Sequence, residues 1–230
     1  MISKLFRPRP SVAWIISWAI IYTVIVIADA FIPGSYFFTL VSIGGIFLCF
    51  LYTVTAFPKD HFLQAALLLT FVADCILAHD NVSPVGLMIF FGAQLLHCFR
   101  LNRPRRLPLV VGLATIGGLC IALNFWLHLV DPLYVICTFY GITLLINIIT
   151  AWRWHRRVHN FYSTCAIIGF ILFACCDLCT GISHLSLISV LPIATYAPAN
   201  FLVWFFYYLS QILVANSSKY ATIELKEGKC

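Results

Sequence analysis

The chain has 230 residues, of which 62% are hydrophobic, 16% are aromatic and only 10% are charged, and its mean hydropathy is +0.99. This composition leaves too little polar surface to enclose a soluble core, so it excludes a soluble globular protein. The net charge of +6 comes from 14 Lys and Arg residues in short clusters between apolar runs. Such clusters are typical of helix ends at a membrane surface and argue against a nucleic-acid partner.

Eight apolar runs predict an all-α, polytopic membrane helix bundle with eight transmembrane helices. A spanning helix needs about 20 mostly apolar residues, and charged residues, Pro, Gly or Asn bound each run. The fourth run is short for a crossing, so hydropathy alone leaves its assignment open. The runs cover residues 11–32, 36–57, 62–78, 85–99, 107–127, 133–152, 161–183 and 199–215.

The distribution of loop charges favours eight crossings. If all eight runs cross, all 14 Lys and Arg residues lie on one side of the membrane and the opposite loops contain none. The positive-inside rule then places both termini in the cytoplasm. The host membrane can be either a bacterial inner membrane or an endomembrane. The predicted domain is a single transmembrane unit, residues 1–217, followed by a short polar cytoplasmic tail, residues 218–230.

Two segments next to these runs need a separate interpretation. The first run follows basic residues, as in a signal peptide, but it is longer than the apolar core of about 7–15 residues that such peptides have, so we expect a retained first helix. The apolar segment 186–198 contains Pro192 and Pro198. It is therefore expected to form an interfacial or re-entrant loop.

Asp29 lies near the outer end of the first apolar run and is expected to be interfacial, whereas two aspartates lie well inside apolar runs, Asp74 in the third and Asp177 in the seventh. An unpaired carboxylate in hydrocarbon costs several kcal/mol or takes up a proton, so an acid there indicates function. Both runs cross in the same direction, and counting back from their ends puts each acid about 9 Å from the non-cytoplasmic side. If the two helices are neighbours, the carboxylates cannot both ionise easily, and one becomes an acid and the other a base. The alternative is that each aspartate bonds a polar group of an adjacent helix.

The order of these residues suggests that the chain contains a repeat. Asp74 is followed on the next run by Gln94, and Asp177 is followed on the next run by Gln211. An even number of helices in each half makes corresponding helices cross in the same direction. The sequence therefore predicts a possible parallel repeat of four plus four helices.

Polar side chains on the fourth and eighth helices are candidates for binding a substrate or water. Tyr207 and Gln211 share a helix face through their i,i+4 spacing, and His97 lies three residues after Gln94. For the glutamines and tyrosines the alternative is a hydrogen bond between helices, and for His97 it is an interfacial or packing role. No H-E-x-x-H motif or nucleotide-binding Gly loop occurs, so neither a metal nor a cofactor is predicted. The candidates are Gln94, His97, Tyr207, Tyr208 and Gln211.

Four segments together resemble the YhhN-like lysoplasmalogenase family of eight-helix membrane proteins. The resemblance covers residues 60–217, and the first two helices agree with the family only in hydropathy. The segments are residues 71–78 with Asp74, 86–90 with the later Gln94, 169–173 with the later Asp177, and 207–213 with the later Ser217.

The resemblance implies an activity on lipids. Members of this family with known activity cleave the vinyl ether bond of lysoplasmalogens, releasing a fatty aldehyde and a glycerophospho-ethanolamine or -choline. Their two membrane aspartates correspond to Asp74 and Asp177. Three positions depart from the family pattern: Ala73 stands where Gly is usual, Cys176 where Ser is usual, and Gln94 where His is usual. The last departure bears most on the reaction.

The implied reaction suits a pair of carboxyl groups. Vinyl ether hydrolysis begins with protonation of a carbon and continues with addition of water, so it needs a proton donor and a base. Two alternatives use the same acids without this chemistry. One is a transporter that couples to protons or cations, although such proteins more often have interrupted helices. The other is a lipid-binding protein of the same fold that has lost catalysis.

Overall fold

The computed structural model of the chain describes residues 10–32, 35–80, 83–102, 107–128 and 130–218. Within these residues the regular structure is helical and contains no strand, which confirms the all-α prediction. The predicted tail lies outside the described residues beyond Ser218. The eight long helices are α1 (Val12–Phe31), α2 (Tyr36–Ala56), α3 (His61–Leu77), α4 (Pro84–Asn102), α5 (Leu107–Leu127), α6 (Pro132–Val158), α7 (Phe161–Leu187) and α8 (Tyr196–Ala215).

Seven of the eight helices are long and apolar enough to cross a membrane, so the chain is a multi-pass membrane protein. The short helix is α3, not α4 as the lengths of the apolar runs indicated. The 17 residues of α3 extend about 26 Å, slightly less than a hydrocarbon core of about 30 Å. The 19 residues of α4 are sufficient because the helix continues beyond Phe99 to Asn102.

Two helices continue past their predicted ends. The helix α6 runs through the arginines at 153, 156 and 157 to Val158, and α7 runs to Leu187. Most of the predicted loop 186–198 is accordingly a turn and one 3-10 turn, Ile193–Thr195, before α8. Pro198 lies in the first turn of α8, where a residue without an N–H group removes no intrahelical hydrogen bond. The predicted loop is therefore shorter than its predicted bounds, and its position at the membrane surface stays a prediction.

The chain forms two compact units. The central unit is residues 60–159 and contains α3 to α6, and the terminal unit is residues 1–59 with 160–230 and contains α1, α2, α7 and α8. The prediction of a single domain concerns the whole chain and stays a prediction.

The two units have the same pattern of helix contacts. In the central unit, α4 contacts α3, α5 and α6, and α5 contacts α6. In the terminal unit, α8 contacts α7, α1 and α2, and α1 contacts α2. A shift of four helices converts one pattern into the other, with α1 and α2 following α8. The predicted repeat thus has a structural counterpart, but its compact units are not the first and second halves of the chain.

The helices α7 and α8 approach each other closely at Gly169. A Cβ atom on Gly169 would lie 2.9 Å from Val214 Cγ2 and 3.1 Å from the backbone nitrogen of Val214. The backbone nitrogen cannot move without shifting α8. The absence of a side chain at Gly169 therefore sets the separation of this helix pair.

Replacing Gly169 with Ala is expected to lower the free energy of unfolding by about 1–3 kcal/mol, because the added methyl group overpacks this contact. Denaturant unfolding of the purified protein in detergent measures the change. Gly181→Ala is the matched control on the same helix, since a Cβ atom there has no neighbour within 4 Å. The control should be neutral or stabilising, because Ala favours the helix over Gly. Equal effects of the two substitutions would contradict the close approach.

Candidate functional site

Each of the two aspartates lies on the buried face of its helix, Asp74 on α3 and Asp177 on α7. Asp74 is buried, with 8% of its surface exposed, and Asp177 is half-buried. Spacings of four, seven and eleven residues mark one helix face, so each aspartate completes a buried stripe. The preceding members of the stripes are Thr70, Leu67 and Leu63 on α3, and Phe173, Phe170 and Ala166 on α7.

The positions of the acids along their helices differ from the prediction. Asp74 lies three residues before the end of α3 at Leu77, and Asp177 lies ten residues before the end of α7 at Leu187. At 1.5 Å per residue these separations are about 4.5 Å and 15 Å, so the predicted 9 Å is wrong for both. The acids belong to different compact units, and their shared site stays a prediction.

Gln94 is held by a residue that the sequence did not single out, Asn147 of α6. The Asn147 Nδ2 atom lies 2.8 Å from Gln94 Oε1 and 3.0 Å from the backbone oxygen of Gln94, and both side chains are fully buried. This is the hydrogen bond between helices that was the alternative to substrate binding. The sequence feature that could have indicated this contact is the presence of an Asn inside the apolar run of α6.

Gln94 also lies on the side of α4 that faces away from α3. A Cβ atom on Gly92 would lie 3.7 Å from Leu69 Cδ1, and the rings of Phe99 and Phe62 are 4.9 Å apart, so these residues mark the α3 side. At about 100° per residue, Gln94 is about 200° around the helix from Gly92. Gln94 is therefore poorly placed to orient Asp74, and its role as a substrate contact stays a prediction.

The other polar residues of α4 are buried as well. His97 is buried one turn beyond Gln94, and Arg100 forms an ion pair with Asp60, with 3.7 Å between Arg100 Nη1 and Asp60 Oδ2. The other carboxylate oxygen of Asp60 accepts a hydrogen bond from the Leu63 nitrogen at 3.3 Å and caps α3. From the sequence, Arg100 was expected to belong to a basic cluster at the membrane surface. The structure instead places it in a buried ion pair that joins α3 and α4.

In the terminal unit, Tyr207 contacts the stripe that carries Asp177. The rings of Tyr207 and Phe173 are 5.6 Å apart, and Phe173 lies one turn before Asp177 on the same face of α7. The neighbouring Tyr208 turns the other way, towards α1 and α2. Of the two predicted tyrosines, Tyr207 is thus the one on the Asp177 side.

Tyr208 is fully buried between three helices. A Cβ atom on Gly45 would lie 2.6 Å from Tyr208 Cε2, and the ring of Tyr208 stacks on that of Tyr22 at 6.3 Å. The hydroxyl group of Tyr208 has no hydrogen-bond partner among the described residues. Gln211 is also buried, and its Nε2 atom lies 3.5 Å from Ser210 Oγ. Tyr208 and Gln211 thus pack inside the terminal unit, and their roles as substrate contacts stay predictions.

Asp29 is a third acid in the membrane that the sequence treated as interfacial. It lies near the end of α1, is buried, and has a carboxylate oxygen with no hydrogen-bond partner in the described part of the chain. The sequence feature that could have indicated its burial is the same as for Asp74, namely a carboxylate within an apolar run. In the described residues, no group of three His, Cys, Asp or Glu side chains could hold a metal ion.

These features define a class of protein: a multi-pass helical membrane protein built from two equivalent four-helix units, each with an aspartate on a buried stripe. The model of the YhhN family matches residues 34–218, so the chain belongs to the YhhN family. The match includes α2, which the resemblance seen in the sequence did not cover. No curated protein and no solved structure gives a significant match.

Proposed function

We propose that the chain is a membrane-embedded lipid hydrolase of lysoplasmalogenase type. Its substrate would be a lysoplasmalogen in the bilayer, and its products a fatty aldehyde and a glycerophospho-ethanolamine or -choline. The observation that carries the proposal is that Asp74 and Asp177 each continue a buried helix stripe in a member of the YhhN family. Acids are expensive to retain in membrane helices and mark function there.

The reaction assigns a different task to each carboxyl group. The protonated acid donates its proton to the second carbon of the alkenyl chain, and the first carbon becomes part of an oxocarbenium ion. The ionised carboxylate takes a proton from water as the water oxygen adds to that first carbon. The resulting hemiacetal then breaks its bond to the glycerol oxygen, which takes up a proton, and the aldehyde leaves.

Tyr207 is the polar residue best placed to assist this chemistry, because it contacts the stripe of Asp177. Its hydroxyl group would hold a substrate oxygen or a water molecule. In the topology that we propose, with both termini in the cytoplasm, α3 and α7 run towards the non-cytoplasmic surface, and Asp74 lies about 4.5 Å and Asp177 about 15 Å before the end of its helix. The vinyl ether of a lysolipid in that leaflet lies just beneath the headgroup, which is closer to the depth of Asp74 than to that of Asp177.

A transporter that uses the same acids is less well supported. Transporters of this kind often have binding helices that are interrupted near the substrate. Both α3 and α7 continue without interruption through Asp74 and Asp177. A binding site at broken helix ends is therefore not available at either acid.

The direct test is to incubate the purified protein in liposomes with a lysoplasmalogen and to measure the fatty aldehyde. We expect aldehyde to accumulate together with an equal amount of glycerophospho-ethanolamine or -choline. A lysolipid with a saturated ether at the same position is the matched substrate control and should stay intact, because it has no carbon that can be protonated. Aldehyde no higher than in protein-free liposomes would contradict the proposal.

A further inference from the structure

The helix α6 is longer than a membrane crossing requires. Its 27 residues extend about 40 Å, whereas the hydrocarbon core is about 30 Å thick and needs about 20 residues. Counting 20 residues from Pro132 reaches Ala151. The remaining turns, which end at Val158, therefore lie at the level of the lipid headgroups or beyond.

Two exposed aromatic residues mark this position independently. Tyr134 and Trp152 have 61% and 48% of their surfaces exposed, and they are 18 residues, or about 27 Å, apart along α6. Eighteen residues are five full turns, so both rings lie on the same face. Tyr and Trp concentrate at the two surfaces of a membrane, and this spacing matches its hydrocarbon thickness.

The face between these rings is apolar and exposed. Leu145 and Ile149 follow it, with about half of each side chain exposed. A soluble protein would cover such a stripe, but in a bilayer it accommodates an acyl chain. The buried side of α6, which includes Asn147 and Trp154, faces the interior of the central unit.

Beyond Trp152 the same exposed side of α6 becomes strongly basic. Arg153, Arg156 and Arg157 are all exposed, and the guanidinium carbon of Arg156 lies 5.4 Å from the centre of the Trp152 ring. That contact places the Arg156 charge next to the aromatic group at the membrane surface. The helix α6 contains no Asp or Glu, so no acid on this helix neutralises the arginines.

We propose that this side of α6 binds an anionic phospholipid, with its phosphate at Arg153, Arg156 and Arg157 and an acyl chain along Ile149 and Leu145. A guanidinium group can donate two parallel hydrogen bonds to the oxygens of one phosphate, and basic residues at a membrane surface attract anionic lipids. The lipid is a resident ligand and not the substrate of the proposed hydrolase. The binding test below is accordingly independent of any activity.

The test measures lipid retention by native mass spectrometry of the full chain in a neutral detergent. Phosphatidylglycerol and phosphatidylcholine with the same acyl chains are titrated separately. We expect tighter binding of phosphatidylglycerol, and we expect the triple substitution Arg153→Gln, Arg156→Gln and Arg157→Gln to weaken it by about 100-fold at low salt, or about fivefold per arginine. Added salt should reduce the preference.

Two variants control for folding and for charge. Arg156→Gln alone changes one exposed residue and should weaken binding about fivefold without changing the melting temperature. The triple substitution to Lys retains the charges but not the paired hydrogen bonds, so it should bind more tightly than the Gln variant and less tightly than the wild type. Equal binding of the two lipids by the wild type, or unchanged phosphatidylglycerol binding by the Gln variants, would overturn the proposal.

Discussion

Substituting Asp74 or Asp177 with Asn is expected to lower kcat/KM for a lysoplasmalogen by about 10²–10⁴, the usual contribution of a general acid or base. Asn has the shape of Asp but can neither donate a proton to carbon nor accept one from water. The two single substitutions should be about equally severe, because each removes one of two required steps. Aldehyde release from purified variants measures the loss.

Asp29→Asn is the matched control for these variants. Asp29 is a buried acid of the terminal unit, like Asp177 a membrane carboxylate, but it lies outside the two equivalent stripes. We expect this variant to retain most of the activity. If Asp29→Asn were as inactive as the other two, loss of any membrane carboxylate would explain the result, and the assignment of Asp74 and Asp177 would fail.

Replacing Arg100 with Met is expected to lower the free energy of unfolding by about 3–5 kcal/mol. The substitution removes the guanidinium group from the carboxylate of Asp60, whose side chain is completely buried. A buried charge that loses its partner is costly, whereas removal of both charges is often nearly neutral. Unfolding of the purified protein in mixed micelles measures the change.

The double variant Asp60→Asn with Arg100→Met separates charge from packing. Asn at position 60 can still accept the hydrogen bond from the Leu63 nitrogen and cap α3, but it carries no charge. We expect it to recover most of the stability that Arg100→Met loses. A double variant as unstable as the single one would show that the contribution of Arg100 comes from packing and not from the ion pair.

Hydropathy predicted the eight helices because a spanning helix must be apolar along its whole length. It predicted their ends less well. The α6 helix continues through Arg153 to Val158, since a helix does not need to end where the hydrocarbon ends. Pro198 signalled a loop, but the first turn of a helix accepts Pro.

The presence of Asp74 and Asp177 within membrane helices could be predicted because a carboxylate in an apolar run is visible in one sequence. The partners of the polar residues could not be predicted from the sequence. Whether Gln94 faces α3 or α6 depends on the rotation of α4 about its axis, and a helix with polar residues at positions 94, 97 and 100 does not specify it. The hydrogen bond from Asn147 to Gln94 and the ion pair between Arg100 and Asp60 become visible only in the packed structure of the central unit.

The proposed reaction is tested most directly by the aldehyde assay carried out in D₂O. Protonation of carbon predicts that the wild-type protein releases a fatty aldehyde with deuterium on the carbon next to the carbonyl group. Asp74→Asn and Asp177→Asn should release almost none. An aldehyde without deuterium, or equal release by the wild type and the two variants, would contradict vinyl ether hydrolysis by this pair of aspartates.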